Sequence, residues 1–153
     1  MIEYLLVFLG GAIPWLEVAL VVPLGIVSGL SPVWVMIAAF TGNLLTVLFV
    51  IFGFEKVRIW LQKRKKNKGG EPSKKEARGK RIWNKYGMPG IALLGPLLIG
   101  THLSAFIGLA FGAKKGTATF WMVTSIAVWT LVLGILTALG FNFFVNDDFV
   151  NKI

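Results

Sequence analysis

Two side chains in this sequence could exchange protons in an apolar setting. Glu17 is the one charged residue between positions 4 and 54. A carboxylate at membrane depth is costly unless it is paired, hydrated or protonated. His102 is the only histidine, and imidazole changes its charge close to physiological pH. The two residue types therefore point to proton transfer, with Glu17 and His102 as the candidates.

Both residues also have structural interpretations. Pro14 suits the first turn of a helix, and Glu17 one turn later would face the positive end of the helix dipole and its free N–H groups. A lone histidine is often a packed, hydrogen-bonding residue. With one histidine and no cysteine, the sequence predicts no metal site. It leaves the functional and the structural role of each residue open.

Short polar side chains accompany these two candidates along the chain. Thr101 and Ser104 flank His102, and Thr41 and Asn43 lie together in another apolar stretch. Buried Thr and Asn side chains either hydrogen-bond between helices or line a pathway. All four residues are candidates for lining a polar path, and for Thr41 and Asn43 helix packing is the favoured role.

The elements that must position these residues are strongly apolar. The chain has 153 residues, 56% of them hydrophobic and 15% charged, against about 25% charged residues in soluble domains. Four apolar stretches exceed the roughly 20 residues of a membrane helix: residues 4–30, 32–54, 87–113 and 117–145. The sequence therefore predicts an all-α integral membrane protein.

The first and third stretches contain residues that break helices, whereas the second and fourth have no interior proline. The candidate helix breaks are Pro14, Pro23, Gly25, Pro96 and Gly100. Interrupted segments at matching places in two halves are typical of inverted-repeat transporters, and a faint match of residues 23–31 to 96–104 favours a repeat. We predict two inverted repeats, each a re-entrant helical hairpin plus a transmembrane helix, with four simple transmembrane helices as the alternative.

Basic residues are concentrated in the middle of the chain. Of 16 Lys and Arg residues, 13 lie between positions 56 and 85, which predicts a cytoplasmic location for that segment. The hairpin topology would place 15 of the 16 basic residues on the cytoplasmic side, whereas four simple crossings would place 14 there. We divide the chain into a first membrane repeat (1–54), a basic cytoplasmic loop (55–86), a second membrane repeat (87–146) and a short tail (147–153). Beside a membrane, such a loop is expected to attract anionic lipid headgroups rather than nucleic acid.

Enzyme signatures are missing from the sequence. It has no cysteine nucleophile, no phosphate-binding glycine loop followed by lysine, no zinc-protease motif and no combination of Ser, His and interior acid suited to hydrolysis. We therefore expect a protein that is not an enzyme and uses no cofactor.

Several of these residues also form a family pattern. It comprises Pro14-Trp-Leu-Glu17-Val-Ala-Leu-Val-Val-Pro23-Leu-Gly25, Gly42-Asn43, Lys85-Tyr-Gly87, Gly90, Pro96 and Gly100-Thr-His-Leu-Ser104. On these residues the chain resembles the bacterial family described as "Putative small multi-drug export protein", a relative of the DedA and VTT-domain membrane proteins. Ala19 stands where many members carry an arginine two residues after the acid. The resemblance implies facing re-entrant hairpins and a transport-like role.

The expected function is transport of a small lipophilic or cationic compound, proton-linked or passive. We expect a multi-pass protein of the bacterial plasma membrane that forms a homo-oligomer, a dimer for so small a chain, because irregular backbone at membrane depth must be covered by protein. The alternatives are a DedA-like translocator of a lipid or lipid carrier, and a membrane scaffold without transport. No Lys or Arg lies in residues 4–54 or 87–113, so a lipid phosphate would lack a counter-ion there.

Overall fold

The computed structural model describes residues 1–66 and 74–150. Over these residues the chain forms helices and no strand, which confirms the all-α prediction. The helices are α1 (Ile2–Ala12), α2 (Glu17–Val27), α3 (Pro32–Lys66), α4 (Lys74–Leu98), α5 (Thr101–Ala110) and α6 (Lys115–Val150).

Two stretches of the described helices are long and apolar enough to cross a membrane: Pro32–Phe54 in α3 and Lys115–Gly140 in α6. Their 23 and 26 residues extend roughly 34 and 39 Å, which exceeds a hydrocarbon core of about 30 Å. Both helices expose large apolar side chains, including Phe49 (79% exposed) and Leu136 (63%). An extended apolar surface of this kind needs lipid or another protein to cover it.

The first apolar stretch forms two short helices that pack against each other, α1 and α2. Each has 11 residues and extends only about 16 Å. The break falls at Ile13, which is extended (ψ 126°), because the residue before a proline is pushed out of the helical region. Residues 4–30 are therefore not one continuous helix, as the helix breaks predicted.

The third apolar stretch is also interrupted. α4 changes direction at Gly87 (φ 64°, ψ −152°), and Gly100 (φ 96°, ψ 154°) separates α4 from α5. Both residues occupy a backbone region that only glycine adopts without strain. α5 has 10 residues and packs against α4. A pair of packed helices followed by a membrane-length helix thus occurs in both halves of the chain.

Contacts divide the chain into two compact units that differ from the two halves of the sequence. The first unit comprises Met1–Asn43 with Ala127–Ile153, and the second comprises Leu44–Ile126. α3 and α6 each contribute residues to both units. The boundary between the two units therefore falls within α3 and within α6, and the predicted division into two membrane repeats stays a prediction.

The faint internal match joins elements that are not equivalent. Both matched stretches contain a turn with a glycine at positive φ, Gly29 (85°) and Gly100 (96°). The turn at Gly29 leads into the 35-residue helix α3, whereas the turn at Gly100 leads into the 10-residue helix α5. The match therefore covers two helix-ending turns, and the inverted repeat stays a prediction.

The basic segment is more helical than the term loop implies. α3 continues beyond its apolar stretch to Lys66, and α4 begins at Lys74. The described parts of residues 55–86 are therefore helical extensions of two apolar helices. In the tail, α6 continues to Val150, and residues 151–153 lie outside the described residues.

Close backbone packing shapes the first unit. A Cβ added at Gly11 would lie 2.6 Å from the carbonyl oxygen of Ala39, and one added at Gly42 would overlap the carbonyl oxygen of Phe8. α1 therefore approaches α3 backbone to backbone, as small residues permit in membrane helix pairs. In the second unit, buried side chains form a core that includes Ile82, Ile91, Ile99 and Ile107.

Candidate functional site

Glu17 lies at the turn of the α1–α2 pair, in the first unit. It is the first residue of α2 and is only 5% exposed, although its side chain is ionisable. Its φ of 45° is the one positive value of a non-glycine residue in the described chain. Such a conformation is strained for a side chain of this size. A buried acid held at a strained helix start is the most unusual feature of this unit.

The location of Glu17 also agrees with its structural interpretation. The N-cap residue of α2 is Leu16, whose side chain makes no capping hydrogen bond. A glutamate in the first turn interacts favourably with the positive end of the helix dipole. Backbone strain is not required for that interaction, because acids elsewhere occupy first turns with ordinary helical angles. The strain is therefore the observation that favours a functional role.

A groove of about 340 Å³ lies between α1 and α2. Its lining is mostly apolar, with Leu6, Leu16 and Leu24 among the contributors, and Glu3 is its only charged residue. The lower limit for small-ligand pockets is about 300 Å³. Glu17 does not line this groove, so the groove and the buried acid are separate features of the first unit.

Two further buried polar residues belong to the first unit. Asn43 on α3 is fully buried, and Thr130 on α6 is 3% exposed. The Thr130 hydroxyl has no hydrogen-bond partner within the described part of the chain. Thr41 differs from them, because it is exposed and its hydroxyl donates to the carbonyl of Ile37 in its own helix at 2.7 Å. Of the two residues on α3 that are candidates for lining a polar path, Asn43 is therefore buried and Thr41 is exposed.

The second unit contains the predicted cluster around His102. Thr101 and His102 are the first two residues of α5, directly after the Gly100 turn. His102 is 8% exposed, and Thr101 and Ser104 are fully buried. His102 therefore lies just after the turn between α4 and α5, and Gly100 rather than Pro96 separates these two helices.

Both ring nitrogens of His102 have hydroxyl partners. Nε2 lies 2.7 Å from Oγ1 of Thr46 on α3, and Nδ1 lies 3.2 Å from Oγ1 of Thr101. A hydroxyl can donate or accept, whereas a neutral imidazole donates through one nitrogen and accepts through the other. The imidazole therefore joins α3 to the start of α5 through a continuous chain of hydrogen-bonding groups.

Ser104 serves the packing of α5 against α4. Its hydroxyl donates to the carbonyl of Gly100, and a Cβ added at Gly95 would overlap the Ser104 side chain. A larger residue at Gly95 or Ser104 would separate the two helices. The geometry gives Ser104 a structural role, while its lining role stays a prediction.

Ser125 on α6 is a buried polar residue that the sequence analysis did not identify. Its hydroxyl donates to the carbonyl oxygen of Ala92 on α4. In a regular helix this carbonyl would accept from the N–H of residue 96, which is a proline and has none. Proline at 96 predicts a free carbonyl at 92 from sequence alone. The identity of the donor depends on how α6 packs.

The predicted helix breaks are of two kinds. Pro14 and Gly100 lie in the turns between paired helices. Pro23 and Gly25 lie inside α2, and Pro96 lies inside α4, so these three residues do not interrupt their helices. A proline within a helix is compatible with helix continuity at membrane depth when other groups satisfy the freed carbonyl. Among the described residues, no group of His, Cys, Asp or Glu is arranged to hold a metal ion.

Two helices that are long and apolar enough to cross a membrane, with large apolar side chains exposed on their surfaces, are typical of a helical membrane protein. The chain matches the family described as "Putative small multi-drug export protein" over residues 17–132. This match covers more than half of the chain, and the chain belongs to that family. Searches of curated proteins and of solved structures found no match.

Proposed function

We propose that the protein is a proton-linked exporter of a small lipophilic or cationic compound in the bacterial plasma membrane. Glu17 is the acid that binds and releases the proton, and His102 is a second proton-carrying group. Membership of the export family supports the class of function. The residue-level assignment depends on the buried polar groups described above.

The observation that carries the proposal is the environment of Glu17. An ionisable residue within an apolar membrane segment is costly and is retained mainly where it functions. Here the acid is 5% exposed and its backbone adopts a φ of 45°. Strained residues of this kind cluster at functional sites, where the surrounding structure maintains them.

The proposed architecture has α1–α2 and the paired parts of α4–α5 as re-entrant hairpins, with α3 and α6 crossing the membrane. The 11-residue lengths of α1 and α2 support this, because each extends only about half of the hydrocarbon core. The basic segment 56–85 then lies in the cytoplasm beside anionic headgroups. In this arrangement the beginning of α1 and the end of α2 both face the outside of the cell.

Single-cysteine labelling tests the topology in a chain that has no cysteine. The described and exposed positions Ile2, Ser31, Lys74 and Thr117 are suitable for substitution by cysteine. The hairpin topology predicts labelling of Ile2 and Ser31 from outside, and of Lys74 and Thr117 from inside. Labelling of Ile2 from inside and of Thr117 from outside would show four crossings and remove the hairpins.

Transport of tetraphenylphosphonium by the full chain in proteoliposomes tests the function under an imposed proton gradient. Glu17→Gln retains the size of the side chain and removes its ionisation. We expect it to lower gradient-driven transport by about a hundredfold, as loss of a proton-transfer group does, with normal membrane insertion. Transport at the unsubstituted rate would remove Glu17 from the mechanism.

Glu3→Gln is the matched control, since Glu3 is an exposed acid of the same unit and lines the groove. It should leave transport within about twofold. If Glu3→Gln stops transport and Glu17→Gln does not, the groove rather than the buried acid is the site.

Measuring the exposure of labelled lipid headgroups in the same vesicles separates export from lipid translocation, because only lipid translocation would change that exposure. Cross-linking in the same vesicles tests the proposed homodimer.

A further inference from the structure

The α4–α5 pair of the second unit brings the end of α5 beside an early part of α4. Three pairs of neighbouring residues, each farther from the turn at Gly100 than the one before, show the register: Gly95 with Ser104, Met88 with Gly108, and Trp83 with Phe111. The ring centroids of the last pair lie 5.5 Å apart. Since Phe111 directly follows α5, the chain leaves α5 beside the part of α4 that precedes the kink at Gly87.

Basic residues of both helices collect at this end of the pair. Arg81 and Lys85 lie on either side of Trp83 in α4, and Lys114 and Lys115 follow the end of α5. All four basic side chains are exposed. Lys85 and Lys114 are far apart in sequence, so the pairing of α4 with α5 is what brings their chain segments together. We call these four basic residues the basic end of the pair.

The helix α3 runs toward the same end. Thr46 on α3 contacts His102, and Phe54 on α3 contacts Phe106 with ring centroids 5.2 Å apart. Because both contacts follow the chain in the same order, α3 and α5 run in the same direction. Lys56, two residues beyond Phe54, is exposed. A third element therefore adds a cation near the basic end.

The charge around the basic end is strongly positive. Residues 86–113 contain no Lys, Arg, Asp or Glu, so the helix pair itself supplies no carboxylate to neutralise these cations. Residues 55–85 contain 13 basic residues against three acids. The ammonium of Lys85 lies 5.1 Å from the ring centroid of Tyr86, a contact in which a lysine keeps its charge and can still donate to an anion.

We infer that the basic end binds the phosphate of an anionic phospholipid. Basic pockets between membrane helices recognise such headgroups. Tryptophan and tyrosine are enriched at the level of the headgroups, and Trp83 and Tyr86 accompany Lys85 here. Farther along α4, Leu94 (41% exposed) and Leu97 (52%) offer apolar surface to the acyl chains. A soluble phosphate or a nucleic acid would leave this apolar surface uncovered, so the observations favour a lipid.

The inference goes beyond a general attraction of the segment 56–85 to anionic headgroups. It assigns one lipid to a place that the pairing of α4 with α5 defines, and it includes Lys114 and Lys115, which lie outside that segment. It requires residues of both helices to act on the same phosphate. It does not depend on export or on proton transfer, because the lipid can bind whether or not the chain carries a substrate.

Native mass spectrometry of the full chain in detergent, titrated with phosphatidylglycerol, counts the bound lipids and gives the dissociation constant of the first. Lys85→Gln and Lys114→Gln each remove one charge from the basic end. We expect each substitution to weaken binding of the first lipid about fivefold, the effect of one basic residue near an anionic surface. Lys114→Arg retains the charge and should stay within about twofold of the unsubstituted chain.

Lys74→Gln is the matched control for these substitutions. Lys74 is also an exposed lysine of α4, but it lies 11 residues before Lys85, which is about 16 Å along the helix. Its substitution removes the same charge and should leave the dissociation constant within about twofold. Equal losses in all three glutamine variants would show attraction by net charge alone and would overturn the site.

Two further outcomes would also overturn the inference. The first is a loss of affinity in Lys85→Gln without a loss in Lys114→Gln, because the site needs both helices. The second is equal affinity of the unsubstituted chain for phosphatidylglycerol and for phosphatidylcholine, whose headgroup has no net charge. Since the experiment measures no transport, failure of the proposed export would leave its result unchanged.

Discussion

The hydroxyl of Ser125 on α6 donates a hydrogen bond to the backbone carbonyl of Ala92 on α4. The carbonyl is available because the residue four positions later is Pro96, which has no N–H. Within a membrane, an unsatisfied carbonyl is costly since no water can replace the missing donor. Ser125 thus makes an internal proline acceptable and joins two helices of the second unit.

The first prediction is that Ser125→Ala destabilises the chain by about 1 kcal/mol, in the range of hydrogen bonds between membrane helices. In a Pro96→Ala background the N–H of residue 96 can bond to Ala92, so the cost of Ser125→Ala should fall close to zero. The free energy of unfolding in bicelles measures both effects as a double-mutant cycle.

The matched control for this cycle is Thr124→Ala. Thr124 is adjacent to Ser125, but its hydroxyl bonds to the carbonyl of Phe120 in its own helix. Its removal should cost little in either background. An equal cost of Ser125→Ala with and without Pro96 would show that Ser125 does not compensate for the proline.

The second prediction concerns the contact of α1 with α3. Gly42→Ala should destabilise the fold by about 1–3 kcal/mol, the range for overpacked positions, because the new methyl group would overlap the Phe8 carbonyl oxygen. Gly53 lies on the same helix with nothing within 4 Å of an added Cβ. Gly53→Ala should therefore be neutral or stabilising, as helix propensity predicts. Thermal unfolding of the purified variants measures both effects. Equal changes of stability in Gly42→Ala and Gly53→Ala would contradict the close approach of α1 to α3.

The third prediction concerns the turn that precedes His102. Gly100 has φ 96° and ψ 154°, a combination that costs other residues about 1–3 kcal/mol. Gly100→Ala and Gly100→Asn should be similarly destabilising, because asparagine tolerates only the left-handed helical region. Gly116→Ala is the control, since an added Cβ there meets nothing within 4 Å. Rescue by asparagine, measured as unfolding free energy, would indicate a different backbone conformation at this turn.

The fourth prediction uses the backbone of Glu17. Alanine normally exceeds glycine in helix stability by about 1 kcal/mol. At position 17 the positive φ of 45° should reverse that order. The Glu17→Gly variant should therefore have a larger free energy of unfolding than the Glu17→Ala variant. Ala19→Gly, two residues later in α2, should show the ordinary loss. The ordinary order at both positions would mean that the backbone at Glu17 is not strained.

The sequence predicted the class of fold because its signals are local and strong. Length and hydropathy identify the apolar stretches of α3 and α6, and Pro14 with the residue before it determines where the first stretch breaks. Glu17 and His102 are candidates for the same reason, since an ionisable residue in an apolar sequence needs no tertiary information to stand out.

Other features could not be predicted from local patterns. The sequence predicts helix breaks at Pro23 and Pro96, but both residues lie inside helices. At Pro96 the freed carbonyl of Ala92 accepts from Ser125 on α6, a partner that the local sequence does not reveal. The internal match at residues 23–31 and 96–104 compared two turns that precede helices of different lengths. A short apolar segment contains too little information to distinguish a shared turn from a shared fold.

The sequence by itself determined that the chain is helical and apolar, where its basic charge lies, and which two ionisable residues occupy apolar segments. Periodicity, composition and backbone sterics act over a few residues, so they can be read without coordinates. Only the tertiary structure decided that Thr46 reaches His102 across 56 positions and that Ser125 reaches Ala92 across 33. Those partners are set by how α3, α4, α5 and α6 pack, and packing depends on side-chain shapes that are brought together only in the folded chain.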